Sequence, residues 1–110
     1  MAEHAVPTRA MENGIYFAAV NRVGTERGFS FIGRSSICAP NGDVLARASA
    51  SDEEILYADI DPARARNKRI VRVPSKHVID RLADRRPEMY GPLVEPHGLS
   101  RPRDDAGAAR

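Results

Sequence analysis

The chain has 110 residues, 42% of them hydrophobic and 29% charged, and a formal net charge of +2. Such a composition predicts one small globular domain and excludes a disordered or fibrous protein. The single cysteine excludes an internal disulfide, and no apolar stretch approaches the roughly 20 residues that span a bilayer. The first ten residues also lack the apolar core of a secretory signal, so we expect a cytoplasmic protein without a membrane partner.

The first predicted elements are a short helix and a buried strand. Pro7 suits a first helical turn, and Asn13-Gly14 suits a left-handed cap at the end of the helix. The run from Ile15 to Val20 then contains no charge and is rich in aromatic and β-branched residues. This pattern is typical of a strand buried on both faces, so we expect it in the middle of a sheet.

A loop and a hairpin are predicted next. Glycines at both ends of residues 24–28 favour a loop that reverses the chain. The following strand starts at Phe29, is interrupted at Gly33 and continues to Ala39, and a returning strand covers residues 44–48. The Pro-Asn-Gly-Asp sequence at 40–43 is a strong turn signal between them. Gly33 indicates a bulge or a close approach of two backbone segments.

The second half of the chain is predicted to be a strand, two helices and an arm. Residues 55–60 alternate like a strand, and Asp61 is a suitable N-cap for a helix from Pro62 to about Val71. A second helix is expected through residues 77–82. Three prolines predict an extended arm over residues 84–96, and the polar residues 98–110 are predicted to be disordered.

The basic residues are concentrated in this second half. Nine of the 17 lie between positions 64 and 86, namely Arg64, Arg66, Lys68, Arg69, Arg72, Lys76, Arg81, Arg85 and Arg86. A charge run of this kind is typical either of a solvated helix face or of a surface that binds polyanions. Because no aromatic residue is interleaved among them, we favour the solvated face and predict no nucleic acid partner.

The predicted elements do not cover the predicted sheet. A sheet of four strands, one of them apolar on both faces, needs a layer on each side. The two helices that follow from the sequence are short, and the second has only a narrow apolar stripe. We therefore expect an uncovered apolar face, of the kind that marks an interface with another chain or with an N-terminal half.

Several motifs, in order and spacing, resemble the C-terminal part of the nitrilase superfamily, the carbon-nitrogen hydrolases. They lie between Thr8 and Leu93 and read RAMENG, IYFAAVNRVG, FIGRSSICAPNGDVLARAS, EEILYADIDPARAR and DRRPEMYG. Within the superfamily they are most similar to amidases and N-carbamoyl amidohydrolases. The resemblance implies an α/β (α+β) fold, the C-terminal half of an α-β-β-α sandwich with mostly antiparallel strands and a hairpin. Residues 1–97 would be part of that domain, with 84–97 as its C-terminal arm.

The resemblance also implies where the chemistry lies. Carbon-nitrogen hydrolases cleave non-peptide C–N bonds with a Cys nucleophile, a Glu general base and a Lys that stabilises the oxyanion. In the family all three precede the segment that RAMENG resembles, so we assign no catalytic residue and no cofactor to this chain. It is expected to be inactive alone. The alternative is a non-enzymatic oligomerisation module that pairs with a full-length homologue.

Two residues attract attention and are given structural interpretations. Cys38 is a lone cysteine in an apolar strand without a nearby histidine, which is more typical of a small buried hydrophobe than of a nucleophile. His77 is a single histidine without a second cysteine or histidine at metal spacing. We therefore predict no metal site.

Three polar residues are candidates for the edge of a substrate pocket. Glu12 and Asn13 lie at the end of the first helix, a turn that is near the pocket in the resembled family. Their alternative roles are an ion pair with Arg9 for Glu12 and a helix cap for Asn13. Asn21 follows the buried strand, where a bond to the next loop is the alternative. Arg34 stands where many relatives have a histidine; it suits a carboxylate ligand or, as we prefer, the surface.

The last motif predicts an oligomer interface. Arg85, Arg86, Pro87 and Tyr90 lie on the C-terminal arm. An aromatic anchor beside arginines is typical of interfaces, and in the resembled family such arms help to build dimers. We therefore expect a homo-oligomer, or a complex with a nitrilase-like N-terminal half or homologue.

Overall fold

The computed structural model describes residues 2–96 and residue 98. In chain order the elements are α1 (Ala2–Asn13), β1 (Phe17–Ala19), β2 (Thr25–Glu26), β3 (Phe29–Ser30), β4 (Ser36–Cys38), β5 (Val44–Arg47), α2 (Pro62–Arg66), β6 (Arg69–Val73), β7 (His77–Asp80), a 3-10 turn (Pro87–Met89) and α3 (Gly91–Val94). All strand pairs are antiparallel. The predicted disorder of residues 98–110 lies outside the described residues, apart from Gly98.

The first helix ends at the predicted cap. Gly14 has a φ of +57°, and its N–H donates to the Met11 carbonyl at 3.3 Å while the Ile15 N–H donates to the Ala10 carbonyl at 3.1 Å. These are the two hydrogen bonds of a Schellman motif. Pro7 lies inside α1 rather than in its first turn, so that part of the prediction is wrong. The helix begins at Ala2, and Pro7 cannot donate a backbone hydrogen bond within it.

The core lies between α1 and a three-stranded sheet with the order β1-β4-β5. Val6, Ala10 and Cys38 are buried together, with Phe17 and Ala19 packed against them. The middle strand is therefore β4, and β1 is an edge among the described residues.

The prediction that residues 15–20 are buried on both faces is wrong because α1 covers only one face. Ala18 lies on the exposed side, and Val20 is 93% exposed.

The predicted hairpin is confirmed in part. Its turn at 40–43 is closed by bonds from the Ala39 N–H to the Asp43 carbonyl and from the Gly42 N–H to the Ala39 carbonyl, both 2.8 Å long. Strands β4 and β5 flank it. Residues 29–30 do not continue into this hairpin but pair with β2. Arg27 and Gly28 both have positive φ, which suits a two-residue hairpin turn, so the predicted loop is itself a small hairpin.

Residues 55–60 form no strand in the structure, contrary to the prediction. No backbone hydrogen bond joins them to another described residue, and a strand is defined by such pairing. The alternation in burial is present, since Leu56 and Ala58 are half-buried while Ile55 and Tyr57 are 78% and 81% exposed. The segment is an extended chain without a partner strand among the described residues.

The predicted helices of the second half are replaced largely by a hairpin. Asp61 caps α2 as predicted, its Oδ1 accepting from the Ala63 N–H at 2.9 Å, but the helix ends at Arg66. Residues 69–73 then pair with 77–80, so both the extension of the helix to Val71 and the helix over 77–82 are wrong. The Arg-Ile-Val-Arg-Val sequence is rich in β-branched residues, which favour a strand.

The arm is also less extended than predicted. It contains the 3-10 turn and the short helix α3. Pro87 is the first residue of the 3-10 turn and Pro92 the second residue of α3. In the first turn of a helix the N–H groups have no intrahelical acceptor, so proline is compatible with these positions.

The fold leaves much apolar surface exposed. The buried hydrophobic residues of the described chain are Val6, Ala10, Cys38 and Ala39. The radius of gyration of the Cα atoms is 19.7 Å, whereas a compact domain of this length has about 13 Å. The predicted uncovered apolar surface is therefore present. No described helix is long and apolar enough to span a bilayer.

Candidate functional site

The single thiol is part of the core. Cys38 is completely buried beneath α1, against Val6 and Ala10. Burial raises the pKa of its thiol, and the positive charge of Arg47 opposes this shift only in part. Since the thiolate is the reactive form, the environment of Cys38 suits a small apolar side chain and not a nucleophile.

We expect Cys38 to react with a disulfide reagent at least about tenfold more slowly in the folded chain than in denaturant. In the folded chain the sulfur is shielded from the reagent, and the raised pKa lowers the fraction of reactive thiolate. The rate is measured from the thiol released at neutral pH. The denatured chain is the matched control, and equal rates in the two states would contradict the buried position.

Two of the predicted pocket-edge residues lie at the exposed end of α1. Glu12 Oε2 pairs with Arg9 Nη1 at 3.1 Å, with both side chains about half exposed or more. Asn13 donates from Nδ2 to the Arg9 carbonyl at 2.9 Å. Both side chains therefore have partners within α1, as expected for their alternative roles in an ion pair and a helix cap. Their place at a pocket edge stays a prediction.

Asn21, the third, is held by hydrogen bonds beyond the end of β1. Its Nδ2 donates to the Gly33 carbonyl at 2.9 Å, and its Oδ1 accepts from the Arg22 N–H at 2.9 Å. Its backbone N–H donates to Ser35 Oγ at 2.9 Å, and Ser35 Oγ donates back to the Asn21 carbonyl at 3.1 Å. This network fixes the chain at the end of β1, and none of these bonds links Asn21 to Glu12 or Asn13.

Asn21 and Arg34 line one groove, which we call the strand-end groove. It consists of two adjoining clefts of about 310 and 270 Å³ that share Val20, Ser35 and Glu54. The first cleft is polar and includes Asn21 and Arg34. The second has apolar walls, to which Ala18, Val20, Ile37, Ile55 and Leu56 contribute. The groove therefore pairs hydrogen-bonding groups with an apolar wall, as ligand sites do.

Arg34 and Glu54 of the strand-end groove already have partners within the chain. Arg34 has a φ of +58°, and its Nη1 lies 3.2 Å from Glu3 Oε2. Glu3 Oε1 in turn pairs with Arg47 at 3.2 Å, and Glu54 Oε1 accepts from the Ser49 N–H at 2.7 Å. Arg34 is exposed, as preferred from the sequence. The groove can orient a polar group, but the Ser35 hydroxyl donates to the Asn21 carbonyl and has no carboxylate or imidazole partner among the described residues.

A second polar cluster joins the end of α1 to the β6–β7 hairpin, and it was not predicted from the residue pattern. Lys68 Nζ donates to the Asn13 and Gly14 carbonyls at 3.0 and 2.8 Å, and Arg81 Nη2 donates to the Met11 carbonyl at 2.7 Å. A helix C-terminus attracts cations, and α1 has no basic residue in its own last turn. Within the part of the chain that the structure describes, no cluster of three His, Cys, Asp or Glu side chains is arranged to hold a metal.

The predicted interface residues form a small local unit. Tyr90 Oη accepts from the Arg86 N–H at 3.1 Å, and the Arg86 side chain pairs with Glu88. Tyr90 is half-buried, whereas Arg85 and Pro87 are exposed. Whether these residues touch another chain stays a prediction.

Comparison with known proteins gives the family. Residues 1–70 match the family model for carbon-nitrogen hydrolase. The chain is 45% identical over 89 residues to a nitrilase of Pyrococcus abyssi, covering 81% of this chain and 32% of the relative. It is 38% identical over 69 residues to a glutamine-dependent NAD(+) synthetase of Aquifex aeolicus, covering 63% of this chain and 12% of that one.

A solved structure agrees with these relatives. The fold is similar to the crystal structure of a carbon-nitrogen hydrolase from Helicobacter pylori G27, with a TM-score of 0.62 and 33% identity over 81% of this chain and 30% of that one. This similarity confirms the predicted mixed fold of helices and antiparallel strands. The chain spans about a third of the length of the nitrilase it matches. With 70 of its residues matched by the family model, the chain belongs to the carbon-nitrogen hydrolase family.

Proposed function

We propose that this chain acts as the C-terminal part of a carbon-nitrogen hydrolase that cleaves an amide or N-carbamoyl C–N bond. The Cys, Glu and Lys of the reaction come from polypeptide that precedes the segment described here. The observation that carries the proposal is the position of Cys38, which is fully buried in the core and has a raised pKa. A family that depends on an accessible thiolate then needs a nucleophile other than this one.

In this proposal the thiolate of the other segment attacks the carbonyl carbon and the leaving amine is released, after which water hydrolyses the acyl-enzyme. Glu transfers the protons and Lys stabilises the oxyanion. This chain contributes the wall of the pocket. Asn21 and Ser35, fixed by their mutual hydrogen bonds, keep the strand-end groove in shape. Glu12 and Asn13 stand further away, at the end of α1.

The partner is proposed to be a nitrilase-like N-terminal half, which would cover the exposed apolar residues. Val20, Ile55 and Tyr57 are 93%, 78% and 81% exposed. Val20 and Ile55 line the same apolar cleft as Ala18, which lies on the exposed side of β1. Exposed apolar surface of this extent marks an interface. The free thiol supports a reducing compartment such as the cytoplasm for this assembly.

Amidase assays test the proposal. The purified chain is expected to show no turnover of amides or N-carbamoyl amino acids above the blank. Mixing it with an N-terminal half that carries Glu, Lys and Cys is expected to give turnover, which is lost when the cysteine of that half is replaced. Cys38→Ala is the matched control and should leave the turnover of the mixture within about twofold. Turnover by the chain alone that Cys38→Ala abolishes would contradict the proposal.

A second candidate is a non-enzymatic module that pairs with a full-length homologue or with its own copy. The observation in its favour is the same exposed apolar surface, together with the arm residues Arg85, Arg86, Pro87 and Tyr90. Sedimentation of the chain with and without a full-length homologue separates the two candidates. A stable complex in which the homologue is equally active with and without this chain favours the module. Activity that requires this chain favours the hydrolase.

A further inference from the structure

A separate cleft of about 530 Å³ opens beside the C-terminal end of α1. We call it the arginine cleft. Its walls come from the α1 end at Met11, the turn at Pro40 and Asn41, and the segment from α2 into β6. Arg64, Arg69, Arg72 and Arg81 all line it, and no aspartate or glutamate does. It shares no residue with the strand-end groove.

The fold gathers arginines that strand geometry would separate. Side chains alternate between the two faces of a strand, so Arg69 and Arg72 would normally point in opposite directions. The pairing of β6 with β7 shifts in register between Val71 and Val73. A bulge of this kind redirects the side chain at its centre. The cleft is lined by all of residues 69–72, so it extends along this part of β6 and reaches both arginines.

The positive charge of the arginine cleft is only partly compensated. Arg81 donates to the Met11 carbonyl, and Arg69 lies opposite Asp80 in the hairpin. The Asp80 carboxylate, however, accepts from the N–H groups of Ala83 and Leu82, which with Arg69 hold its pKa below the usual value. Among the described residues, Arg64 and Arg72 have no side-chain hydrogen bond or ion pair. Both side chains are exposed, so their guanidinium groups are available to a bound anion.

We propose that the arginine cleft binds a small organic anion that carries a phosphate or carboxylate group. Guanidinium groups bind both oxyanions through paired hydrogen bonds. Met11, Ile70 and Val71 add apolar wall to the same cleft, which suits a ligand with a hydrocarbon or ring portion. The volume of about 530 Å³ lies within the roughly 300–1,000 Å³ of small-molecule sites.

A small anion fits this cleft better than a nucleic acid strand does. Single strands are bound by aromatic side chains on which the bases stack, and no aromatic residue lines the arginine cleft. The proposal does not depend on the hydrolase activity, because none of the residues of the cleft belongs to the strand-end groove.

Calorimetric titration of the whole chain tests the proposal, with pyrophosphate and citrate as probes at constant ionic strength. Either probe is expected to bind at a single site, and the tighter of the two identifies phosphate or carboxylate as the preferred group. The double variant Arg64→Gln with Arg72→Gln should weaken binding by about tenfold or more, because it removes two charged donors. Arg66→Gln is the matched control, since Arg66 belongs to the same short helix but does not line the cleft.

Three outcomes would overturn the proposal. They are no binding of either probe by the native chain, equal weakening by Arg66→Gln, and unchanged binding by the double variant. Circular dichroism checks that the variants fold. If the double variant does not fold, the single variant Arg72→Gln takes its place and is expected to weaken binding by about threefold or more.

Discussion

Replacement of Gly33 with alanine is expected to destabilise the fold by about 2–4 kcal/mol. Gly33 has a φ of +58°, and a Cβ there would lie 2.8 Å from Val23 Cγ1 and 2.9 Å from each of the Ser49 and Ala50 carbonyl oxygens. The valine side chain can rotate away, but two backbone carbonyls cannot. The Ser49 carbonyl also accepts from the Arg34 N–H at 2.9 Å, so its movement would break a bond at the strand-end groove.

Urea unfolding of the two proteins measures this effect. Gly28→Ala is the matched control because Gly28 has a φ of +83° and open space around the added Cβ. It therefore carries the cost of the left-handed backbone alone, about 1 kcal/mol. Equal destabilisation by the two substitutions would show that the close approach at Gly33 adds nothing, contrary to the structure.

Joint replacement of Lys68 and Arg81 with methionine is expected to free the β6–β7 hairpin from α1. These side chains make three charged hydrogen bonds to the carbonyls at the end of α1. Bonds of this kind contribute about 1.5–3 kcal/mol each when buried. Here both side chains are half-buried, so we expect a combined loss of about 2–4 kcal/mol for the docked hairpin. No other described element packs extensively against it.

Hydrogen exchange locates the effect. An isolated two-stranded hairpin is marginally stable, so the amides of the opposed residues Ile70 and Ile79, which form a hydrogen-bonded pair, should lose protection, together with those of the last turn of α1. Sheet β1-β4-β5 should keep its protection. Lys76→Met, in the exposed hairpin turn, is the control for removal of a charge. Unchanged exchange in β6 of the double variant would mean that other contacts hold the hairpin.

The sequence predicted local chemistry well. The Schellman motif at Gly14, the Asp61 cap and the turn at residues 40–43 depend on residues within a few positions of each other, so their side chains and φ preferences are readable directly. The close approach at Gly33 was predicted for the same reason. The place of Asn21 at the edge of a substrate pocket stays a prediction.

Longer-range features were not readable. The segment 69–80 fits a basic helix by charge and a hairpin by its β-branched residues, and only the pairing of β6 with β7 decides between them. The bonds from Lys68 and Arg81 reach across 54 to 70 positions of the chain. The exposure of one face of β1 depends on which face α1 covers, and no pattern within residues 15–20 reports that.

The charge of the extended segment 55–60 limits which other strands can pair with its backbone. Its amide and carbonyl groups are open to pairing from outside, as at a sheet edge. Asp59 puts a negative charge in the segment, and stacking of identical copies in register would bring these charges together at about 4.8 Å spacing. Fibril growth through this segment is thus opposed by its own charge, while a strand of different sequence meets no such repulsion.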